Sequence, residues 1–163
     1  MNRRDIIIGL VVLILIIGGV LWFRNRSSKK AMVPTTPTQE QIERSFNLTI
    51  PEDVDTAELR DVSGGTGSAV ATRKFENGIF THMILADLPD PALGTFYEGW
   101  LVMGKTGDSN FAFISTGTMR LAKGGYLLEF ESMTDYSEYK GVVVTVEKTN
   151  DKAPETHLLE GSF

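Results

Sequence analysis

From Ile6 to Phe23 the chain runs eighteen residues without a charge or a polar side chain, mostly Ile, Leu, Val and Gly. At about 1.5 Å rise per residue such a run spans about 27 Å as a helix, close to the roughly 30 Å hydrocarbon core of a bilayer. Backbone that crosses lipid has to satisfy its own hydrogen bonds, so a single transmembrane helix is expected here. Trp22 stands at the end of the run, where an indole favours the headgroup level, and Arg24, Arg26, Lys29 and Lys30 come next as a stop. A cleavable leader has a shorter apolar stretch and a small-residue cleavage site, and a buried core helix has a polar face. This segment has none of these.

The anchor divides the chain into a tail (1–5), the helix (6–23), a basic stop with a polar, proline-containing linker (24–56), and a folded domain (57–163). The linker core reads SSKKAMVPTTPTQEQ, with Pro34 and Pro37 favouring an extended course. A short helix over Gln39–Ser45 is compatible with this, and Pro51 would end it. The domain over 57–163 is long enough for one hydrophobic core.

Charge is split along the chain. Residues 1–30 hold six Lys/Arg and one Asp, and the remainder holds ten Lys/Arg and twenty Asp/Glu. The basic cluster suits the headgroups of a membrane, which is one expected partner, while the acidic domain repels phosphate backbones. Nucleic acid is therefore not an expected partner. There is no cysteine, which excludes disulfides, thiolate metal sites and lipid attachment through a thiol.

Beyond residue 57 short apolar or alternating runs recur between turn residues, the pattern of an all-β sandwich. Strands are expected over 68–75, 79–86, 95–104, 111–115, 126–131, 142–147 and 157–160. Asn77-Gly78 joins the first two as a hairpin signal, because both residues tolerate positive φ. Tyr126, Leu128 and Phe130 alternate with Glu129 and Glu131, so one face is buried and the other wet. Val142, Val144 and Val146 mark a second such face. The expected fold is an antiparallel, Ig-like β-sandwich of about seven strands, with a helical turn possible only over Asp135–Lys140.

Several motifs suggest chemistry and are set aside. Ser137-Glu138-Tyr139-Lys140 and Lys105-Thr106-Gly107 match S-x-x-K and K-T-G, but in the reverse of the order penicillin-binding enzymes use and in too small a domain. Gly64-Gly65-Thr66-Gly67 lacks the G-K-[ST] ending and opening helix of a phosphate loop. His82 and His157 fall in different strands without a third metal ligand. Asp53 and Asp55 lack the EF-hand spacing. Asn47-Leu48-Thr49 is a sequon informative only in a eukaryotic secretory setting. No nucleophile stands beside a base, so no enzyme, cofactor or metal is expected.

Leu88-Pro89-Asp90-Pro91 followed by Gly94, Tyr97, Trp100, Leu101 and Val102 resembles the C-terminal domain of anti-sigma-K factors. The later elements Val144-Thr145-Val146-Glu147, Pro154 and Leu158-Leu159-Glu160-Gly161 come in that family's order. The resemblance extends over most of residues 67–163. It implies an extracytoplasmic β-sandwich tethered by one helix in a bacterial plasma membrane, with Leu88, Pro89, Gly94, Tyr97, Trp100, Val144, Thr145, Glu147, Pro154 and Gly161 as its motif, in mainly structural roles. In that family an N-terminal cytoplasmic domain binds a sigma factor. Only Met1–Asp5 precede the apolar run, so such a domain is not expected here. A count of Lys and Arg beside the helix would keep the C-terminal side in the cytoplasm. The resemblance points the other way. The expected function is a non-enzymatic binding or sensor module acting through a protein partner at the envelope, with a self-associating structural envelope protein as the alternative.

Overall fold

Asn77 and Gly78 both have positive φ, 53° and 79°, and form the two-residue turn between β2 (Ser68–Glu76) and β3 (Ile79–Asp87). A turn of this hand matches the twist of the strands it joins, and Glu76 consequently pairs with Ile79. The computed structural model describes residues 39–163. The membrane helix expected over Ile6–Phe23, the tail before it and the first part of the linker lie outside the described residues. Among the described residues no helix is long and apolar enough to cross a membrane.

Around this hairpin stand β1 (Asp55–Asp61), β4 (Phe96–Met103), β5 (Ala112–Thr118), β6 (Arg120–Ala122), β7 (Gly125–Ser132), β8 (Gly141–Glu147) and β9 (Thr156–Ser162). All pairings are antiparallel, in the order β5-β4-β8-β9-β1-β2-β3-β7-β6. The ladder is therefore one continuous nine-stranded sheet, where about seven strands in two sheets were expected. It is nearly closed, because its ends β5 and β6 are consecutive in the chain. Met119 between them donates its N–H to Tyr97 O at 2.8 Å, tying the turn back to β4.

Leu59, Ala71, Phe80, Ile84, Tyr97, Leu101, Leu128, Val142, Val144 and Leu159 fill the inside of the curved sheet. Gly99 lets the walls approach there. A Cβ at that position would lie 2.7 Å from Leu128 Cδ1, 2.8 Å from Thr116 Oγ1 and 2.9 Å from Ile84 Cδ1. The alternation expected in β7 is present: Tyr126 and Leu128 are buried while Glu129 and Glu131 are exposed.

The folded unit begins earlier than residue 57. Helix α1 (Gln39–Phe46) lays Ile42 against a second apolar cluster with Ile50, Val70 and Leu85 on the outer face of β2 and β3. Glu43 fastens its exit, since Oε1 accepts the Ile50 N–H at 2.9 Å. The chain turns at Asn47 (φ 54°), and Leu48 N–H donates to Glu43 O at 3.0 Å. No helix forms over Asp135–Lys140. There Asp135 Oδ1 accepts from the Ser137 N–H at 2.8 Å and from its hydroxyl at 2.5 Å, and this local turn competes with a helix.

Candidate functional site

Alternation along β4 sends Tyr97 and Leu101 inward and Glu98, Trp100 and Val102 to the outer face. On β8 the outer set is Val143, Thr145 and Glu147. A strand with one wet face would expose these positions, yet Trp100, Thr145, Glu98 and Glu147 are all buried. Two segments flank this face around Trp100. The connection from β4 to β5 brings Lys105, Thr106 and Phe111, and the 148–155 loop brings Pro154. Between these walls lies a groove of about 620 Å³, also lined by Phe113, His157 and Glu160.

The floor is aromatic. The Trp100 indole N–H donates to Thr145 Oγ1 at 2.8 Å, which satisfies the one donor that burial would otherwise orphan. Phe113 meets the indole edge-on with centroids 5.9 Å apart, and Phe111 lies 5.9 Å beyond at a tilt. Both phenylalanines remain 37% exposed, so an apolar surface is open to a ligand. The rim is polar: Lys105 comes from the β4–β5 turn, and His157 Nδ1 lies 2.6 Å from Glu160 Oε1.

The 148–155 loop is held by carboxylates. Glu155 accepts the N–H groups of Lys148 at 3.2 Å and Thr149 at 3.0 Å, and its own N–H donates to Glu147 Oε1 at 3.0 Å. Glu98 Oε1 accepts from the Ser115 hydroxyl. The second oxygens of Glu98 and Glu147 have no hydrogen-bond partner among the described residues, and the two residues are only 3% and 0% exposed. Burial pushes the Glu98 carboxyl above its ordinary value. The Ser115 hydrogen bond opposes this, and the nearby charges of Glu147 and Asp151 add to it.

The ten motif residues separate into groups. Trp100, Thr145, Glu147, Pro154 and Gly161 gather at or beside the outer face. Leu88, Pro89 and Tyr97 form a corner, where Tyr97 OH donates to Pro89 O at 3.0 Å and its ring meets Tyr126 edge-on at 5.0 Å. Val144 belongs to the inner core, and Gly94 lies apart in the 88–95 loop. Sequence reasoning missed Glu98, Phe111, Phe113, Ser115 and the His157–Glu160 pair as neighbours. A charged residue in each of two apolar strands, Glu98 and Glu147, was the available signal.

His82 stands apart from the groove, on the inner side beside Phe163, with Nδ1 2.8 Å from Thr72 O. In Gly64–Gly67 two of the amides are turned back on the chain: Asp61 accepts the Gly65 N–H at 2.9 Å and the Gly67 N–H at 3.3 Å. Among the described residues no three His, Asp or Glu side chains converge as a metal site. No protein-family model matches the chain, and comparisons with curated proteins and with solved structures return no match.

Proposed function

We propose that the chain is a membrane-anchored, non-enzymatic binding or sensor module of the anti-sigma-K C-terminal kind, held outside the cytoplasm of a bacterial cell. It engages a protein partner at the envelope through the outer-face groove, and any sigma-factor regulation passes through that partner. The carrying observation is the exposed Phe111–Phe113 shelf over buried Trp100, with Lys105 and the His157–Glu160 pair at its rim. An aromatic floor with a few polar groups at its edge is the usual composition of a recognition cleft. No nucleophile paired with a base accompanies it among the described residues.

Two measurements test this reading. The intact, detergent-extracted protein is used for capture beside a Phe113→Ser variant and a Leu121→Ser control, whose site is exposed and away from the groove. Proteins retained by wild type and the control but lost by Phe113→Ser support the groove. Equal capture by all three removes it. C-terminal fusions to alkaline phosphatase and to green fluorescent protein report the side of the membrane, and a fluorescent, phosphatase-negative result refutes the extracytoplasmic placement.

One observation favours the alternative of self-association. Strand β5 is a sheet edge paired only with β4, and its seven residues, AFISTGT, carry no charge and no proline. Such an edge lacks two of the usual protections against pairing with another chain, charge and proline. Sedimentation that depends on concentration, and is lost when Ile114→Lys is introduced, would favour this reading.

A further inference from the structure

We propose that buried Glu98 holds a proton that it donates to Glu147, and that this hydrogen bond fastens the 148–155 loop that walls the groove, so that the groove is sensitive to pH. The functional consequence rests on the groove being the binding site. The proton itself does not.

Glu98 lies directly opposite Thr145 in the β4–β8 ladder, and Glu147 is two residues further along the same face. Side chains in that diagonal relation are within reach of one another. Both are buried, and each has one oxygen engaged, Glu98 by the Ser115 hydroxyl and Glu147 by the Glu155 N–H. Each has one oxygen without a partner.

Two adjacent buried carboxylates cannot both remain ionised without a counter-charge. The charged and titratable groups around them supply none. β5 presents Ser115, β8 presents Thr145, and the loop presents Asp151 and Glu155, whose carboxylates accept backbone N–H groups. On β9, His157 faces Thr145 but is engaged with Glu160. Lys148 and Lys152 belong to the same loop, yet among the described residues neither they nor any other Lys, Arg or His forms an ion pair with either glutamate.

One proton resolves both unpartnered oxygens at once. Protonated Glu98 donates from Oε2 to Oε2 of Glu147, and Glu147 keeps Oε1 for the Glu155 N–H. The arrangement matches the general behaviour of carboxyl pairs that hold one proton between them. Burial favours the neutral form of Glu98, in agreement with its raised pKa.

Loss of that proton puts two like charges face to face. The repulsion falls on the more weakly held side, which is the loop. Glu147 carries the loop through Glu155, adjacent to Pro154 in the groove wall. Because the folded-state value of Glu98 is raised, the stabilisation is present at low pH and lost as pH rises through it.

The test uses the full chain in detergent with Trp22→Phe, which leaves Trp100 as the single tryptophan. The infrared carbonyl band of protonated acids is followed as pH rises, and a component that outlasts that of the exposed carboxyls reports a buried one. This late component is expected in this protein and absent after Glu98→Gln, whose amide mimics the neutral acid. Trp100 emission is expected to change with the component's own midpoint as pH rises, and Glu98→Gln is expected to abolish that change. Where Glu98→Gln does not fold, Glu147→Gln carries the test, and its removal of the neighbouring charge moves the component's midpoint to lower pH. A protein with no such late component, or with the same Trp100 response after Glu98→Gln, overturns the proposal. So does a melting temperature raised by calcium in the parent and not in Glu98→Gln, since a cation and not a proton would then fill the pair. None of these readouts uses a partner, so failed capture by the groove leaves their outcome independent.

Discussion

The indole N–H of Trp100 on β4 reaches diagonally across the ladder to the hydroxyl of Thr145 on β8, 2.8 Å away, with both side chains buried. That bond joins the two strands beneath the groove, and it gives a buried tryptophan a partner without opening the floor to water.

Trp100→Ala is expected to cost about 3–5 kcal/mol, because a fully buried aromatic is removed and its space is only partly refilled. Thr145→Val, nearly the same in shape, is expected to cost about 1–3 kcal/mol by leaving the indole N–H unpaired. Denaturant melts measure both. A change of a few tenths for Trp100→Ala would mean that the indole is not a packing residue.

His82 gives the domain an acid limit. The residue is 2% exposed, and burial, followed by the neighbouring Arg73 charge, lowers its pKa to about 4 against the opposing hydrogen bond with Thr72. A lowered folded-state value means that the stabilisation is present above the unfolded value of about 6.5 and is lost as pH falls towards 4. The full loss corresponds to about 3 kcal/mol. His82→Gln is expected to flatten the stability profile in that window. Asp61 acts lower still. Burial raises its pKa, but the N–H groups of Gly65, Ser63 and Gly67 and the Ser63 hydroxyl outweigh burial and hold its carboxyl below the ordinary value. Equal pH profiles of wild type and His82→Gln would contradict the assignment.

Strands with clean alternation were legible in the sequence, and their boundaries fall within about three residues of those seen. β1 was not. Its sequence, DTAELRD, is mostly charged, and its inward face consists only of Ala57 and Leu59. β6 has three residues, too few to show a period. The short helix named over Gln39–Ser45 is present as α1, but its packing through Ile42 and Ile50 is what a reading of the linker's polarity passes over. At the site, Trp100 and Thr145 were legible as motif residues, while their contact was not. It depends on β4 pairing with β8, forty-odd residues away, and the same non-local pairing brings Glu98 beside Glu147. The 148–155 loop then flanks a strand face that alternation alone assigns to solvent.

Arg73 is expected to resist conservative replacement. Its side chain is 3% exposed, with Nε 3.2 Å from Asp55 Oδ2 and Nη1 donating to Tyr139 O at 2.7 Å. The guanidinium carbon stands 4.1 Å over the Phe163 ring. A lysine ammonium keeps the charge but cannot serve these directions from one planar group. Arg73→Lys is expected to lose about 1–3 kcal/mol in denaturant melts. Wild-type stability would show that the fork is dispensable.

Gly161→Ala is expected to loosen the join between β9 and β1. That join has two ladder pairs, Arg60 with Glu160 and Asp61 with Leu159, extended by the Val62 N–H donating to Leu158 O at 2.9 Å. A Cβ on Gly161 would lie 2.5 Å from Glu58 O and 3.0 Å from Leu59 Cγ, so backbone has to move. On its other side β9 is held to β8 from Gly141–Ser162 to Val146–Thr156, a much longer ladder, so the displacement falls on β1. The expected cost is about 1–3 kcal/mol, as for other overpacked positions. Hydrogen exchange reads where it falls: the Val62 amide should lose protection, while the β8 amides keep theirs. Ser162→Ala, one residue on and exposed, is the control and should leave both unchanged. Wild-type exchange at Val62 in Gly161→Ala would show that the sheet absorbs a methyl group there and that the close approach is not required.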